Sequence, residues 1–96
     1  MRVHVIAEEG GMGAVHVCGS AAAVLRFATS SPLALGGAAG FEVAGAALGD
    51  TVHVVKLVAS GSAYDALGAF TDKAAADALA RARKDDGARV ASLPVE

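Results

Sequence analysis

The chain has 96 residues, of which 54% are hydrophobic and 19% charged, a balance that excludes a disordered tail and predicts one folded domain over residues 1–96. A net charge of −2, with basic residues spread along the chain, excludes the clustered Lys/Arg face that nucleic-acid binding requires. A lone cysteine excludes an internal disulfide, and the longest weakly polar run, residues 33–48, is too short and too often interrupted by glycine to cross a membrane.

The first quarter of the chain reads as a hairpin followed by a helix. Residues 2–7 are a β-branched run typical of a strand. A glycine pair follows, which predicts a hairpin with the returning strand at residues 14–18. Ser20 is placed to cap a short helix over residues 21–29, which ends before Pro32 because proline disfavours helical geometry at the residue before it.

The segment between this helix and the second half is rich in glycine and alanine. We predict a connection over residues 33–40 and a short strand over residues 41–44. A helix across residues 38–48 is the alternative, and the glycines and valine within it argue against that helix.

The second half shows a clearer version of the same order of signals. Asp72 is placed to cap its helix, and Gly87 is placed to end that helix in a left-handed conformation. Along the helix we expect Ala75, Ala78, Leu79 and Ala82 to face the core and Asp77 to pair with Arg81. The predicted elements are two strands, a helix and a final strand, over residues 51–58, 66–70, 72–84 and 88–95.

The two halves also match each other in sequence, which predicts a tandem ββαβ repeat with units at about residues 1–49 and 50–96. The alternative is that two similar supersecondary units arose separately in an alanine-rich chain. The matches are Val3-His4-Val5-Ile6 with Val52-His53-Val54-Val55, offset by 49 positions, Ser20 with Asp72, offset by 52, and Gly40, Val43 and Ala44 with Gly87, Val90 and Ala91, offset by 47.

Three motifs characterise the second half: Val52-His-Val-Val55, Gly68-Ala-Phe-Thr71 and the alanines Ala74-Ala-Ala76. In these motifs the second half resembles small uncharacterised bacterial and phage ββαβ domains. The resemblance covers about half of the chain and departs from the family pattern at His53, where an aromatic residue is common. The resemblance implies the fold of the unit. It implies no chemistry, because those families have no assigned activity.

These elements predict an α+β fold with a mostly antiparallel sheet and two helices packed on one face. Alternation places Val3, Val5 and Ala7, with Val52, Val54 and Val58, on the face beneath the helices. The other face would remain open, and an open apolar face usually marks a partner surface. The predicted interface residues on that open face are His4, Ile6, His53, Val55 and Leu57.

We therefore expect a non-enzymatic protein-interaction or self-associating module that uses the open sheet face. Its partner would be a second copy of the chain or another protein, with no nucleic acid and no membrane. The amino terminus is too polar for a signal peptide, so we expect a cytoplasmic location. The alternative is a small enzyme or ligand-binding protein with a pocket near His16, Cys18 and Tyr64.

The histidines and the cysteine carry little chemistry on sequence grounds. His16 and Cys18 share a strand face, and we expect His4 to pair across the hairpin near residues 15–17. The spacings typical of zinc ligands are missing, so we predict no metal, no cofactor and no catalytic residue. Cys18 precedes a helix that would lower its pKa, but its counterpart Phe70 indicates a buried hydrophobe.

Overall fold

The computed structural model describes residues 1–8, 15–30, 35–57 and 66–96, and within them the two halves have the same order of elements. Each half is strand, strand, helix, strand. The first half has β1 Arg2–Glu8, β2 Val15–Cys18, α1 Ala21–Ser30 and β3 Leu35–Glu42. The second half has β4 Thr51–Leu57, β5 Ala66–Phe70, α2 Lys73–Ala82 and β6 Ala88–Pro94, with a 3₁₀ turn, Lys84–Asp86, between α2 and β6.

The strands form two antiparallel three-stranded sheets, ordered β2-β1-β3 and β5-β4-β6. The α+β class predicted from the sequence is confirmed, but the single sheet is replaced by two. Each half builds its own sheet around its first strand, and a parallel bridge between Val17 and Val95 joins the two sheets at one edge. A common origin of the halves by duplication, and their superposition about a twofold axis, remain predictions.

The main core lies between the two sheets. Val3 and Val5 of β1 and Val52 and Val54 of β4 are all inaccessible to solvent and belong to one cluster. The sequence prediction that this face lies beneath the helices is wrong. The valine faces of the two sheets pack on each other instead, because each central strand is apolar on both sides and can be covered on both. The other buried members of the cluster are Val17, Val43, Ala69 and Val95.

Each helix covers the outer face of its own sheet, so the helices do not share one face. Under α1, Ile6 and Cys18 pack with Ala23, Val24 and Phe27. Leu79 of α2 lies over Gly68 of β5, which is on the face opposite the shared core. The layers therefore run helix, sheet, sheet, helix.

The inward face of α2 differs from the predicted stripe. Ala76 is its buried residue and Leu79 is half-buried, whereas Ala78 and Ala82 are exposed. Alanine occupies most positions of this helix, so the alanine pattern could not set the helix phase, and the one leucine decides it. Asp77 pairs with Lys73 one turn earlier, at 2.9 Å between Nζ and Oδ2, and not with Arg81 as predicted.

The helix starts follow the sequence predictions. Ser20 Oγ accepts a hydrogen bond from the backbone N–H of Ala23 at 3.1 Å, and Asp72 Oδ1 accepts one from Ala74 N–H at 3.0 Å. Gly87 has a φ of 79°, the left-handed conformation expected of a helix end. It ends the 3₁₀ turn Lys84–Asp86 that follows α2 and not, as predicted, α2 itself, because α2 ends four residues earlier at its C-cap Arg83.

Strand β3 is longer than predicted. The segment predicted as a connection over residues 33–40 is a strand from Leu35, and no helix crosses residues 38–48 among the described residues. Strand β3 pairs with β1 along its length, from Glu42 opposite Arg2 to Leu35 opposite Glu8. Pairing with a strongly β-forming neighbour outweighs the weak strand preference of glycine and alanine.

The pairing registers also correct the sequence match between the third strands. Phe41 lies opposite Val3, and Leu93 lies opposite Val52, so the two third strands correspond at an offset of 52 and not 47. The second strands show the same offset, since Val17 faces Val5 and Ala69 faces Val54. One offset of 52 therefore relates both halves from their second strand onward.

Replacing Gly68 with alanine tests how tightly α2 packs on its sheet. A methyl group there would lie 3.0 and 3.1 Å from two ring atoms of Phe70 and 3.5 Å from Leu79. The rigid ring must move against the helix, so Gly68→Ala should lower the free energy of unfolding by about 1–3 kcal/mol. In the control Gly40→Ala, the nearest atoms belong to the mobile end of Arg2. Urea melts that destabilise both variants equally would contradict this packing.

Candidate functional site

The predicted interface residues do not form an open face. Ile6 and Val55 are 0% exposed, because α1 and α2 cover the sheet faces that carry them. His4, His53 and Leu57 are half-buried on the same faces. The prediction that Ile6, Val55 and Leu57 face water in the isolated chain is therefore wrong for the first two and only partly met for Leu57.

Cys18 belongs to the packing beneath α1. Its side chain is 1% exposed, and burial is the main cause that raises the pKa of its thiol. The nearby Glu96 carboxylate raises this pKa further, and Arg26 partly opposes the shift. A protonated, inaccessible thiol is a poor nucleophile, so Cys18 acts as a small hydrophobe.

His16 lies at the edge of the same packing. Its ring centroid is 4.1 Å from that of Phe27, and its Nδ1 is 4.0 Å from a carboxylate oxygen of Glu96. The third residue of the predicted pocket, Tyr64, lies outside the described residues. Within the described residues, His16 and Cys18 are held by α1 packing, and neither lines the cleft described below.

His4, Cys18 and His16 share one sheet face, because His4 pairs with Cys18 and Ile6 pairs with His16. The residue opposite His4, Cys18, is one position beyond the predicted range of 15–17. Even so, within residues 1–8, 15–30, 35–57 and 66–96 there is no group of three His, Cys, Asp or Glu side chains that could hold a metal ion.

His53 and Ser92 form a short side-chain contact, 2.7 Å between Nδ1 and Oγ. A serine beside a histidine can act as nucleophile and base, but that chemistry also needs a third group to orient the histidine. In the described part of the chain His53 contacts no carboxylate. The two residues lie directly opposite each other on β4 and β6, so we interpret the contact as an ordinary cross-strand pair.

A cleft of about 250 Å³ lies where the ends of β3 and β5 approach each other. Its lining combines four apolar residues with two acidic residues and a threonine. The wall from β5 continues into Asp72, the residue that caps α2. The lining residues are Glu42, Val43 and Ala44 on one side, and Ala69, Phe70, Thr71 and Asp72 on the other.

The edges of the two sheets approach each other at two places, which we call seams. The cleft is the seam between β3 and β5, and the other seam, between β2 and β6, is closed by hydrogen bonds. Between β2 and β6, Glu96 N–H donates to the Val17 carbonyl at 2.9 Å, and Gly19 N–H donates to the Glu96 carbonyl at 2.8 Å. Among the described residues no bridge joins β3 to β5. Sequence reasoning missed the cleft, because an open seam exists only once the two sheets have packed face to face.

The outer faces of the two helices differ in polarity. Leu25 on α1 is 66% exposed. Its neighbours on that outer face, Ala21, Ala22 and Ala28, are also exposed and apolar. Helix α1 carries one charged residue, Arg26, whereas α2 carries three. The low charge of the segment over residues 21–29 is the sequence signal that could have indicated this surface.

Two further large hydrophobic side chains are exposed near the start of α1. They are Met1 and Leu48, and both lie beside Gly19, one residue before the cap Ser20. The three described large hydrophobic residues that remain exposed are thus all on α1 or beside the residue before its cap.

No family model, curated protein or solved structure matches this chain. None of the described helices has the length and apolar character needed to cross a membrane.

Burial of Cys18 predicts a protected thiol. Iodoacetamide should label the native protein at pH 8 at least about tenfold more slowly than the urea-unfolded chain, because the thiol is both inaccessible and held protonated. Equal rates would contradict the burial.

The raised pKa also predicts a pH dependence of stability. The ordinary pKa of a cysteine thiol is 9.0. At a pH just above this value the unfolded chain loses the Cys18 proton, whereas the folded state keeps it. The contribution is fully present below that value and is lost as the pH rises towards the folded-state pKa. Between neutral and alkaline pH, the parent should therefore lose more unfolding free energy than Cys18→Ala does, as measured by urea melts at each pH. Parallel losses in both proteins would contradict the shift.

Proposed function

We propose that this chain is a non-enzymatic protein-interaction module that associates with a second copy of itself through the outer face of α1. The observation that carries the proposal is the 66% exposure of Leu25 on an apolar helix face. The proposed interaction surface is thus the helix that covers the sheet face, and not the sheet face predicted from the sequence.

The composition of this face suits a second helix of the same kind. Ala21, Ala22 and Ala28 surround Leu25 and are small enough for two helix backbones to approach closely. A twofold contact brings identical patches together, so each patch must tolerate its own charge. With Arg26 as the one charged residue of α1, little like-charge repulsion opposes the pairing.

The size of the surface sets the strength of the contact. A ten-residue helix is about 15 Å long. It offers less than the ~800 Å² per partner of a standard stable interface. Full burial of one leucine side chain contributes about 1.5–3 kcal/mol. We therefore expect a weak dimer whose population rises with protein concentration.

The alternative of an enzyme or ligand-binding pocket near His16, Cys18 and Tyr64 is not proposed further, because no observation in the described residues favours it. The cytoplasmic location and the bacterial or phage relationship belong to the proposal as expectations from the sequence. A reduced, buried Cys18 is compatible with that location.

Sedimentation over a range of protein concentrations tests the association. The parent should show a mass that rises from monomer towards dimer, and Leu25→Lys should remain a monomer because it places a charge at the centre of the contact. The matched control is Ala78→Lys, which adds the same charge to an exposed position of α2 and should dimerise like the parent.

Circular dichroism must show that both variants are folded. A parent that stays monomeric at millimolar concentration would refute self-association. So would equal dimerisation of Leu25→Lys and the parent.

A further inference from the structure

The geometry points to a second binding site: the cleft between β3 and β5 binds an extended peptide segment that carries a basic side chain. The segment would complete the open seam with backbone hydrogen bonds, as β-strand addition does at sheet edges. This inference goes beyond association through α1 and does not depend on it.

The closed seam of the same molecule shows how the bonding works. There, one residue in extended conformation, Glu96, donates its N–H to the Val17 carbonyl and accepts from Gly19 N–H, at 2.9 and 2.8 Å. Along with the parallel bridge between Val17 and Val95, these two hydrogen bonds of Glu96 hold the ends of β2 and β6 together.

The offset of 52 positions pairs each residue of the closed seam with a residue at the cleft. Ala69 corresponds to Val17, Thr71 corresponds to Gly19, and Ala44 corresponds to Glu96. The preceding residues also correspond in their bonds. Val43 N–H donates to the Met1 carbonyl at 2.8 Å, and Val95 N–H donates to the Asp50 carbonyl at 2.9 Å. Both third strands are thus held alike up to this point.

Beyond Val43 the two seams diverge. Ala44 enters a turn in which Gly45 has a φ of 76°, and the chain leaves the sheet edge. Within the described residues, Ala44 forms no backbone hydrogen bond to Ala69 or Thr71, and the Thr71 N–H donates to no backbone carbonyl. The cleft therefore presents an unpaired edge at the place where Glu96 closes the other seam.

The walls of the cleft indicate the chemistry of the occupant. Val43, Ala69 and Phe70 provide apolar contact, while Glu42 and Asp72 are both acidic. The cleft volume of about 250 Å³ is below the ~300–1,000 Å³ of most small-molecule pockets. A short stretch of strand fits such a groove, and the two carboxylates favour a lysine or arginine side chain on it over an acidic one.

Amide hydrogen exchange in the free protein tests the open seam directly. The Gly19 amide should be protected by its bond to Glu96, and the Thr71 amide should exchange at least about tenfold faster. Equal protection of the two amides would show that both seams are closed and would overturn the inference.

Peptide binding tests the occupant, using Leu25→Lys so that dimer formation does not interfere. The probe is capped Val-Lys-Val, followed by amide chemical shifts, and the expected response is a shift and slowed exchange at Thr71. Two controls define the recognition. Capped Val-Glu-Val should bind less well because of its charge, and Val-Lys-Val methylated on its central backbone nitrogen should not bind because it cannot donate to Ala69.

Charge reversal on the protein completes the test. Glu42 is largely exposed and only weakly paired with Arg2, at 4.0 Å, so Glu42→Lys should fold normally and bind Val-Lys-Val about fivefold more weakly. The matched control Asp85→Lys, on the exposed 3₁₀ turn, should bind like the parent.

Shifts at Thr71 that appear equally with the N-methylated peptide would overturn recognition of a peptide backbone. An absence of shifts at Thr71 would overturn the site. Neither result bears on the association of the parent through α1, which is measured without peptide.

Discussion

The structure depends on the packing of one valine face against another. Val3 and Val5 of β1 meet Val52 and Val54 of β4 in a single core, and all four are inaccessible to solvent. The chain has no tryptophan, and the buried members of this core are valines and one alanine. Once the inner faces are buried on each other, the helices can cover only the outer faces. The layer order and the exposed surfaces of the molecule follow from that one contact.

Two sheets packed face to face leave edge strands that must be paired, covered or blocked. In this molecule the edges of the two sheets meet each other at two seams. Glu96 closes the seam between β2 and β6 through its own backbone, whereas Ala44 turns away from the seam between β3 and β5. An unpaired edge at the second seam is thus a consequence of where the chain must leave the first sheet to begin the second.

The parts of the fold that depend on local chemistry were predictable from the sequence. Side-chain caps identified both helix starts, and Gly87 marked the end of the turn after α2. The burial of Cys18 followed from its correspondence with Phe70. The face assignment was not predictable, because β1 carries Val5 on one side and Ile6 on the other and alternation cannot say which side meets a helix. The full length of β3 was not predictable for a related reason, because its strand conformation comes from pairing with β1.

The two halves differ in sequence at the positions that make the surface of one half unlike the surface of the other. At the offset of 52, Phe27 corresponds to Leu79 and Val43 to Val95, and these apolar pairs keep the same packing role in both halves. Leu25 corresponds to Asp77, an apolar residue against a charged one at the same place on equivalent helices. Ala44 likewise replaces Glu96 at a seam. Buried positions are constrained by the shared core, whereas a surface position can change without loss of the fold. Differences that make one helix face apolar and one seam open are therefore the basis of the two contact surfaces that we propose.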